Sequence, residues 1–135
     1  MKSSVLQYFG TVLLVEDLDD SRFMLRRLLE LEGFDVIEAK DGAFALEALR
    51  KHACDVVLLD LRLPNIDGFQ VTRALRATTQ FQALPIIILS ALDDEYHRTE
   101  ARAAGCNDYL TKPIDLERLT MLLKKHISLG LASGH

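Results

Sequence analysis

Three apolar runs and one short strand-like segment in this 135-residue sequence each stop at residues that can do chemistry. Thr11 to Val15 ends in Glu16-Asp17, Val56 to Leu59 in Asp60, Ile86 to Leu89 in Ser90, and Asp108 to Thr111 in Lys112. Brought together, these supply three carboxylates, one hydroxyl and one ammonium. Three like charges at hydrogen-bonding distance repel, so a proton or a cation has to join them. Mg²⁺ (or Mn²⁺) suits such a donor set, because it takes oxygen ligands in an octahedral array and keeps several waters. A carboxylate beside such an ion can attack a phosphoryl group and form an aspartyl-phosphate. A metal ion, a lysine and a hydroxyl then stabilise the charge on the oxygens of the transferred group. Asp60 is the best nucleophile, since it stands alone after a central run. Glu16 and Asp17 are adjacent and better placed to hold the metal.

Taken singly, each residue has a plainer role. An Asp after a strand is usually a turn or cap residue, a Ser a helix cap, a Lys solvated surface. The elements around them give the set its meaning. The runs ending at Val15, Leu59 and Leu89 are apolar on both faces, as buried parallel strands are. Asp35 to Ala39 and Asp108 to Thr111 read as shorter strands. Phe23, Leu25, Leu28, Leu29 and Leu31 form a helical stripe, with N-cap chemistry at Asp19, Asp20 and Ser21 and a stop at Gly33. Gly42 opens a second helix, and Pro64, Asn65 and Gly68 mark the loop before a third. Asp93 and Asp94 start a polar helix that Gly105 ends. Asp115 caps a last one, apolar at Leu116, Leu119, Leu123 and Ile127. Strand and helix thus alternate five times, which implies a parallel sheet covered on both faces. Ligands of such sheets bind beyond the carboxyl ends of the strands, where the chemistry-bearing residues fall.

Composition narrows the class. Sixteen basic and 20 acidic residues give a net charge of −4, which argues against a nucleic-acid-binding module. No run approaches the roughly 18 apolar residues of a membrane span, and Met1 to Gly10 lacks the pattern of a signal peptide. Cys54 and Cys106 read as small buried thiols of a cytoplasmic protein. His52, His97, His126 and His135 all fall outside the strand ends and read as surface or packing residues. Ser128 to His135 looks like a linker.

Four segments carry a resemblance. They are Val-Leu-Leu-Val-Glu-Asp (12–17), Asp-Val-Val-Leu-Leu-Asp-Leu-Arg-Leu-Pro-Asn-Ile-Asp-Gly (55–68), Pro-Ile-Ile-Ile-Leu-Ser-Ala (85–91) and Gly-Cys-Asn-Asp-Tyr-Leu-Thr-Lys-Pro (105–113). Together they resemble the receiver domain of two-component response regulators over about residues 11–127, with 1–10 as an extension and 128–135 as a tail. The resemblance implies the flavodoxin-like, doubly wound (βα)₅ fold: a five-stranded parallel sheet in order 2-1-3-4-5 with helices on both faces. It implies that Asp60 accepts phosphate from a sensor histidine kinase or a histidine phosphotransfer protein. Glu16, Asp17, Asp60 and the backbone carbonyl of Arg62 are then the Mg²⁺ ligands. Ser90 is the switch hydroxyl, Lys112 the phosphate salt bridge, and Tyr109 the switch aromatic or else a half-buried strand aromatic. Lys112-Pro113 matches the family's cis peptide. The partner-binding face is that of the fourth helix, fifth strand and fifth helix, with weak homodimerisation left open. Leu18, Ser21 and Arg22 are expected to meet the phosphodonor.

The sequence departs from the commonest pattern at three places. Glu16 stands where Asp is frequent, and Arg62 and Leu92 sit two residues past the acceptor and the switch Ser. Three other readings compete. A flavin protein of this fold needs a Ser/Thr/Gly-rich first loop, whereas Glu16 to Asp20 is acidic. A phosphatase-like hydrolase needs a second acid two residues past its nucleophile, where Arg62 stands. A degenerate docking module would lack site residues, and here all five are present. The eight residues after Ile127 are too few for a DNA-binding unit, so a free-standing receiver is expected over one excised from a longer protein.

Overall fold

The computed structural model describes residues 8–132, with side chains described for 8–130. Five strands and five helices alternate: β1 Gly10–Val15, α1 Asp19–Leu31, β2 Phe34–Ala39, α2 Gly42–Lys51, β3 Val56–Asp60, α3 Gly68–Arg76, β4 Ile86–Ser90, α4 Glu95–Ala104, β5 Asp108–Thr111 and α5 Leu116–Ala132. A short 3₁₀ turn, Thr79–Phe81, precedes β4. The strands pair in parallel in the order β2-β1-β3-β4-β5, as expected. The chain steps from β1 outward to β2 and then back past β1 to β3. That reversal leaves a crevice at the carboxyl ends of β1 and β3.

Alternation along the strands splits the core into two layers. Leu13, Val15, Val57, Leu59, Ile86 and Ile88 pack with Ala45, Leu49, Val71, Leu75 and Ala101 of α2, α3 and α4. Val12, Leu14, Val56, Leu58, Ile87 and Leu89 pack with Leu29 of α1 and Leu119, Leu123 and Ile127 of α5. A strand buried on both faces shows no polar alternation, so these segments are continuous apolar runs.

Helix ends follow local chemistry with one exception. Asp41, Asp67 and Asp94 each accept the backbone N–H of the residue three further on. Asp67 and Gln70 form a complete capping box. Gly33 and Gly105 both have positive φ just past α1 and α4, the left-handed conformation that ends helices. At α1 the expected cap from Asp19, Asp20 or Ser21 does not form. The N-cap is Leu18, whose side chain has no acceptor, and Asp19 lies inside the helix, paired with Arg22 at 2.6 Å. The expected linker over 128–135 is corrected for residues 128–132, while 133–135 lie outside the described residues. Helix α5 continues through Ser128 to Ala132. Ser128, Leu129 and Gly130 are exposed there, so no apolar stripe marks their helicity in the sequence.

Arg76 closes the far side of the sheet. Its guanidinium donates to the carbonyls of Gly105 (2.9 Å) and Phe81 (3.0 Å) and to Asn107 Oδ1 (2.9 Å). Asn107 Oδ1 also accepts from the Ile86 amide. One side chain thereby fixes the approach to β4 and β5 and the level at which their site residues emerge.

Candidate functional site

The strand ladders extend one residue past the strands and carry the site residues with them. Glu16 N–H donates to Ala39 O at 3.0 Å and Lys112 N–H to Ser90 O at 2.8 Å. Asp60, the last residue of β3, pairs with Leu89, and Ser90 pairs with Thr111. The result is a cluster at one sheet edge. Lys112 Nζ lies 3.0 Å from Asp60 Oδ2 and 3.5 Å from Glu16 Oε1. The second Asp60 oxygen accepts the Arg62 amide at 3.2 Å. The second Glu16 oxygen accepts the Leu18 amide at 3.0 Å.

The electrostatics reflect crowding. Glu16 and Asp60 are only 5% and 6% exposed. Burial, reinforced by the neighbouring Asp60 carboxylate, pushes Glu16 up to about 7. Burial opposes the Lys112 ammonium, but its hydrogen bond to Asp60 and the charges of Asp60 and Glu16 outweigh that and hold its pKa above the ordinary value. One ammonium thus stands against two buried carboxylates and an exposed third, Asp17.

A cleft of about 690 Å³ opens over this cluster. Asp17, Asp60, Arg62 and Lys112 line it together with apolar Leu61, Leu63, Phe69 and Leu92. Ser90 does not line it. The serine is buried, and its Oγ accepts the Leu92 amide at 2.9 Å. Tyr109 is buried as well, and its hydroxyl donates to the Leu92 carbonyl at 2.6 Å. The Ser90 and Tyr109 side chains therefore grip opposite ends of one residue, Leu92. The Lys112-Pro113 peptide is cis.

Some contacts lay outside the sequence reading, which placed Arg22 only toward the phosphodonor. Arg22 donates to the Glu16 carbonyl at 2.8 Å and to Glu38 at 2.9 Å, tying the acidic loop to β2. His97 was read as a surface or packing residue; it packs on Phe69 and bonds Asp94 at 2.8 Å, and in doing so it lines the cleft. Only the Asp94–His97 spacing hinted at this, as a cap and its third residue. Arg98 lies over Tyr109. Cys54 and Cys106 are free, and burial pushes both thiols up to about 11, which suits inert packing.

Gly68 shows how closely the elements around Asp60 are packed. A Cβ there would stand 2.9 Å from the Asp60 carbonyl oxygen and 2.9 Å from Leu61 Cα, both backbone atoms that cannot swing aside. Gly68→Ala is therefore expected to destabilise by about 1–3 kcal/mol, as overpacking does. Chemical denaturation checks this. Unchanged stability would mean that the start of α3 yields freely.

The sequence and the strand order meet their counterpart in known proteins. A family model for the response regulator receiver domain matches residues 12–124. The chain belongs to the response regulator receiver family. This receiver domain is 36% identical to protein PilH of Pseudomonas aeruginosa over 108 residues, 80% of this chain and 89% of that protein. It is 30% identical to the polar-differentiation response regulator DivK of Brucella anthropi over 117 residues, 87% of this chain and 95% of DivK. Among solved structures it resembles the receiver domain of a sensor histidine kinase from Pseudomonas aeruginosa PAO1. The TM-score is 0.81 at 34% identity, over 88% of this chain and 98% of the other. That crystal structure holds a magnesium ion coordinated in its active-site cleft. Membership places this receiver domain among signalling proteins of two-component systems.

Proposed function

We propose that this chain is a phosphoacceptor whose Asp60 takes a phosphoryl group from a histidine kinase or a histidine phosphotransfer protein. One observation carries the reading. A buried carboxylate, held on one oxygen by Lys112 at 3.0 Å and on the other by a backbone N–H at 3.2 Å, opens into a cleft walled by a second carboxylate, Asp17. An Asp60 oxygen forms the new bond to phosphorus as the bond from phosphorus to the donor's imidazole nitrogen breaks. The leaving nitrogen keeps that electron pair. Lys112 stays beside the reacting carboxylate and offsets charge on the transferred oxygens. Ser90 and Tyr109 act downstream. A phosphoryl oxygen that draws the Ser90 hydroxyl away from the Leu92 amide would disturb the residue that Tyr109 also holds. The response then passes to the face of α4, β5 and α5, which a downstream protein reads.

The donor set fits a hard divalent cation with a water-completed shell. Among the described residues no three acidic, histidine or cysteine side chains already close on one point. Asp17 and Asp60, with the Arg62 carbonyl, are the residues that would hold Mg²⁺, and Glu16 supports them from behind through its bonds to Lys112 and Leu18. The ion supplies Lewis-acid stabilisation of phosphoryl oxygens when bound. The test is incubation with Mg²⁺ and a small acyl phosphate, read by intact mass. A gain of one phosphoryl group is expected, and an unchanged mass overturns the reading.

Cation binding makes a separate prediction. Mg²⁺ should raise the melting temperature, since it binds the folded site alone. The gain is about 1.4 kcal/mol at ten times its dissociation constant. If millimolar Mg²⁺ moves neither the melting temperature nor the amide shifts of Asp17, Asp60 and Arg62, the cluster is not a cation site.

A further inference from the structure

Arg98, which takes no part in the mechanism above, is built around Tyr109. Its guanidinium carbon lies 5.2 Å from the centroid of the Tyr109 ring. Nε donates to Asp93 Oδ1 at 2.8 Å. A terminal nitrogen lies 2.6 Å from the same oxygen and donates to Thr111 Oγ1 at 3.0 Å. The guanidinium is thus fixed at one side by the loop before α4 and at the other by β5. Between those anchors it covers the ring. Tyr109 as a residue is 9% exposed, with its hydroxyl on the Leu92 carbonyl.

The geometry selects arginine. A planar guanidinium can lie over an aromatic face while its edge nitrogens bond two acceptors, whereas an ammonium is a point donor without that fork. The ion pair with Asp93 would count for little by itself, because the Asp93 side chain is 54% exposed and Arg98 36%. Its use here is to prevent the guanidinium from swinging off the ring. The stack also borders a hollow of about 290 Å³ lined by Asp93, Arg98, Tyr109, Thr111, Asp115 and Arg118. A ring released from Arg98 would change the shape of that hollow, on the very face assigned to the downstream partner.

We infer that Arg98 is a positioning residue that holds the Tyr109 ring inward against the Leu92 carbonyl, and so sets the shape of the face of α4, β5 and α5. The regulatory meaning rests on the phosphoacceptor reading, but the Arg98–Tyr109 link does not.

The test uses the full chain labelled with 3-fluorotyrosine. The sequence has three tyrosines, Tyr8, Tyr96 and Tyr109, and Tyr109→Phe assigns the signal of interest. In the parent protein without phosphodonor, the Tyr109 ¹⁹F signal should show the small water-to-deuterium-oxide shift of a buried ring. Arg98→Ala should move it toward the signal of Tyr96, which is 67% exposed, with about a fivefold change in the buried-to-exposed ratio. Arg98→Lys keeps the charge and loses the fork, so it should fall between. A purely structural arginine would lower the melting temperature in both variants and leave the Tyr109 solvent shift where it was, and that result overturns the inference. Should Arg98→Ala fail to fold, Asp93→Ala with Thr111→Val removes both anchoring acceptors and keeps the arginine, with the same two outcomes. Intact mass after acyl phosphate separates the two ideas. A Tyr109 that responds to Arg98 in a protein that takes no phosphate sinks the phosphoacceptor reading and leaves the Arg98 assignment standing.

Discussion

Asp60→Asn is expected to abolish the phosphoryl adduct entirely while leaving the fold intact. The amide matches the carboxylate in shape, so its oxygen can still accept from Lys112 or from the Arg62 amide. What it lacks is a nucleophilic anion. The same change removes one of two buried negative charges, which relieves Glu16, whose carboxyl burial and Asp60 together hold near 7. Stability without divalent cation should therefore stay within about 1 kcal/mol of the parent or rise. The Mg²⁺-dependent gain in melting temperature should shrink, because a ligand carboxylate has gone. Intact mass after acyl phosphate and melting curves with and without Mg²⁺ give both readouts. An adduct that persists in Asp60→Asn would place the acceptor elsewhere.

Lys112→Met should produce the largest loss of stability among single site variants. It leaves Glu16 and Asp60, both nearly buried, with no cation at hydrogen-bonding distance. Breaking a fully buried ion pair costs about 3–5 kcal/mol. The lysine side chain here is 33% exposed, so solvent screens part of that. About 1–3 kcal/mol is the expected cost. The methionine keeps the apolar stem, so lost packing adds little. Divalent cation should stabilise this variant more than the parent, since it is then the sole positive charge at the cluster. Phosphorylation should slow, because the transferred oxygens lose their ammonium. Equilibrium denaturation at two Mg²⁺ concentrations measures the difference. Equal stability of variant and parent, with equal response to the ion, would show that Lys112 does not neutralise the acids.

These two variants probe opposite sides of one charge balance, and that balance was legible before any fold was known. The acids follow apolar runs and the lysine a short strand, and parallel strands bring their carboxyl ends to one edge by necessity. Burial of Glu16 and Asp60 was less legible. It comes from packing α1, α3 and the Arg22 brace around the cluster, contacts between residues far apart in sequence. Helix α1 shows the limit of local chemistry. Asp19 reads as a cap, yet the helix already includes it and leaves Leu18, without an acceptor, at the cap position, while Asp19 pairs with Arg22 at 2.6 Å. Helix α5 shows another. Ser128, Leu129 and Gly130 are exposed there, so periodicity has no buried stripe to register.

The sequence by itself determined the alternation of five strands and five helices, the parallel sheet and the gathering of Glu16, Asp17, Asp60, Ser90 and Lys112 at its carboxyl edge. These follow from hydrophobic periodicity and from the turn and cap residues between runs, which are local properties. The tertiary structure alone decided where each side chain at that edge points. Ser90 turns to the Leu92 amide and away from the cleft. Glu16 turns to Lys112 and to Leu18, leaving Asp17 and Asp60 to face the opening. Arg98 comes to rest on Tyr109 from a different element. Such choices depend on competition among hydrogen-bond and charge partners from several elements at once. No spacing within a single segment encodes that competition.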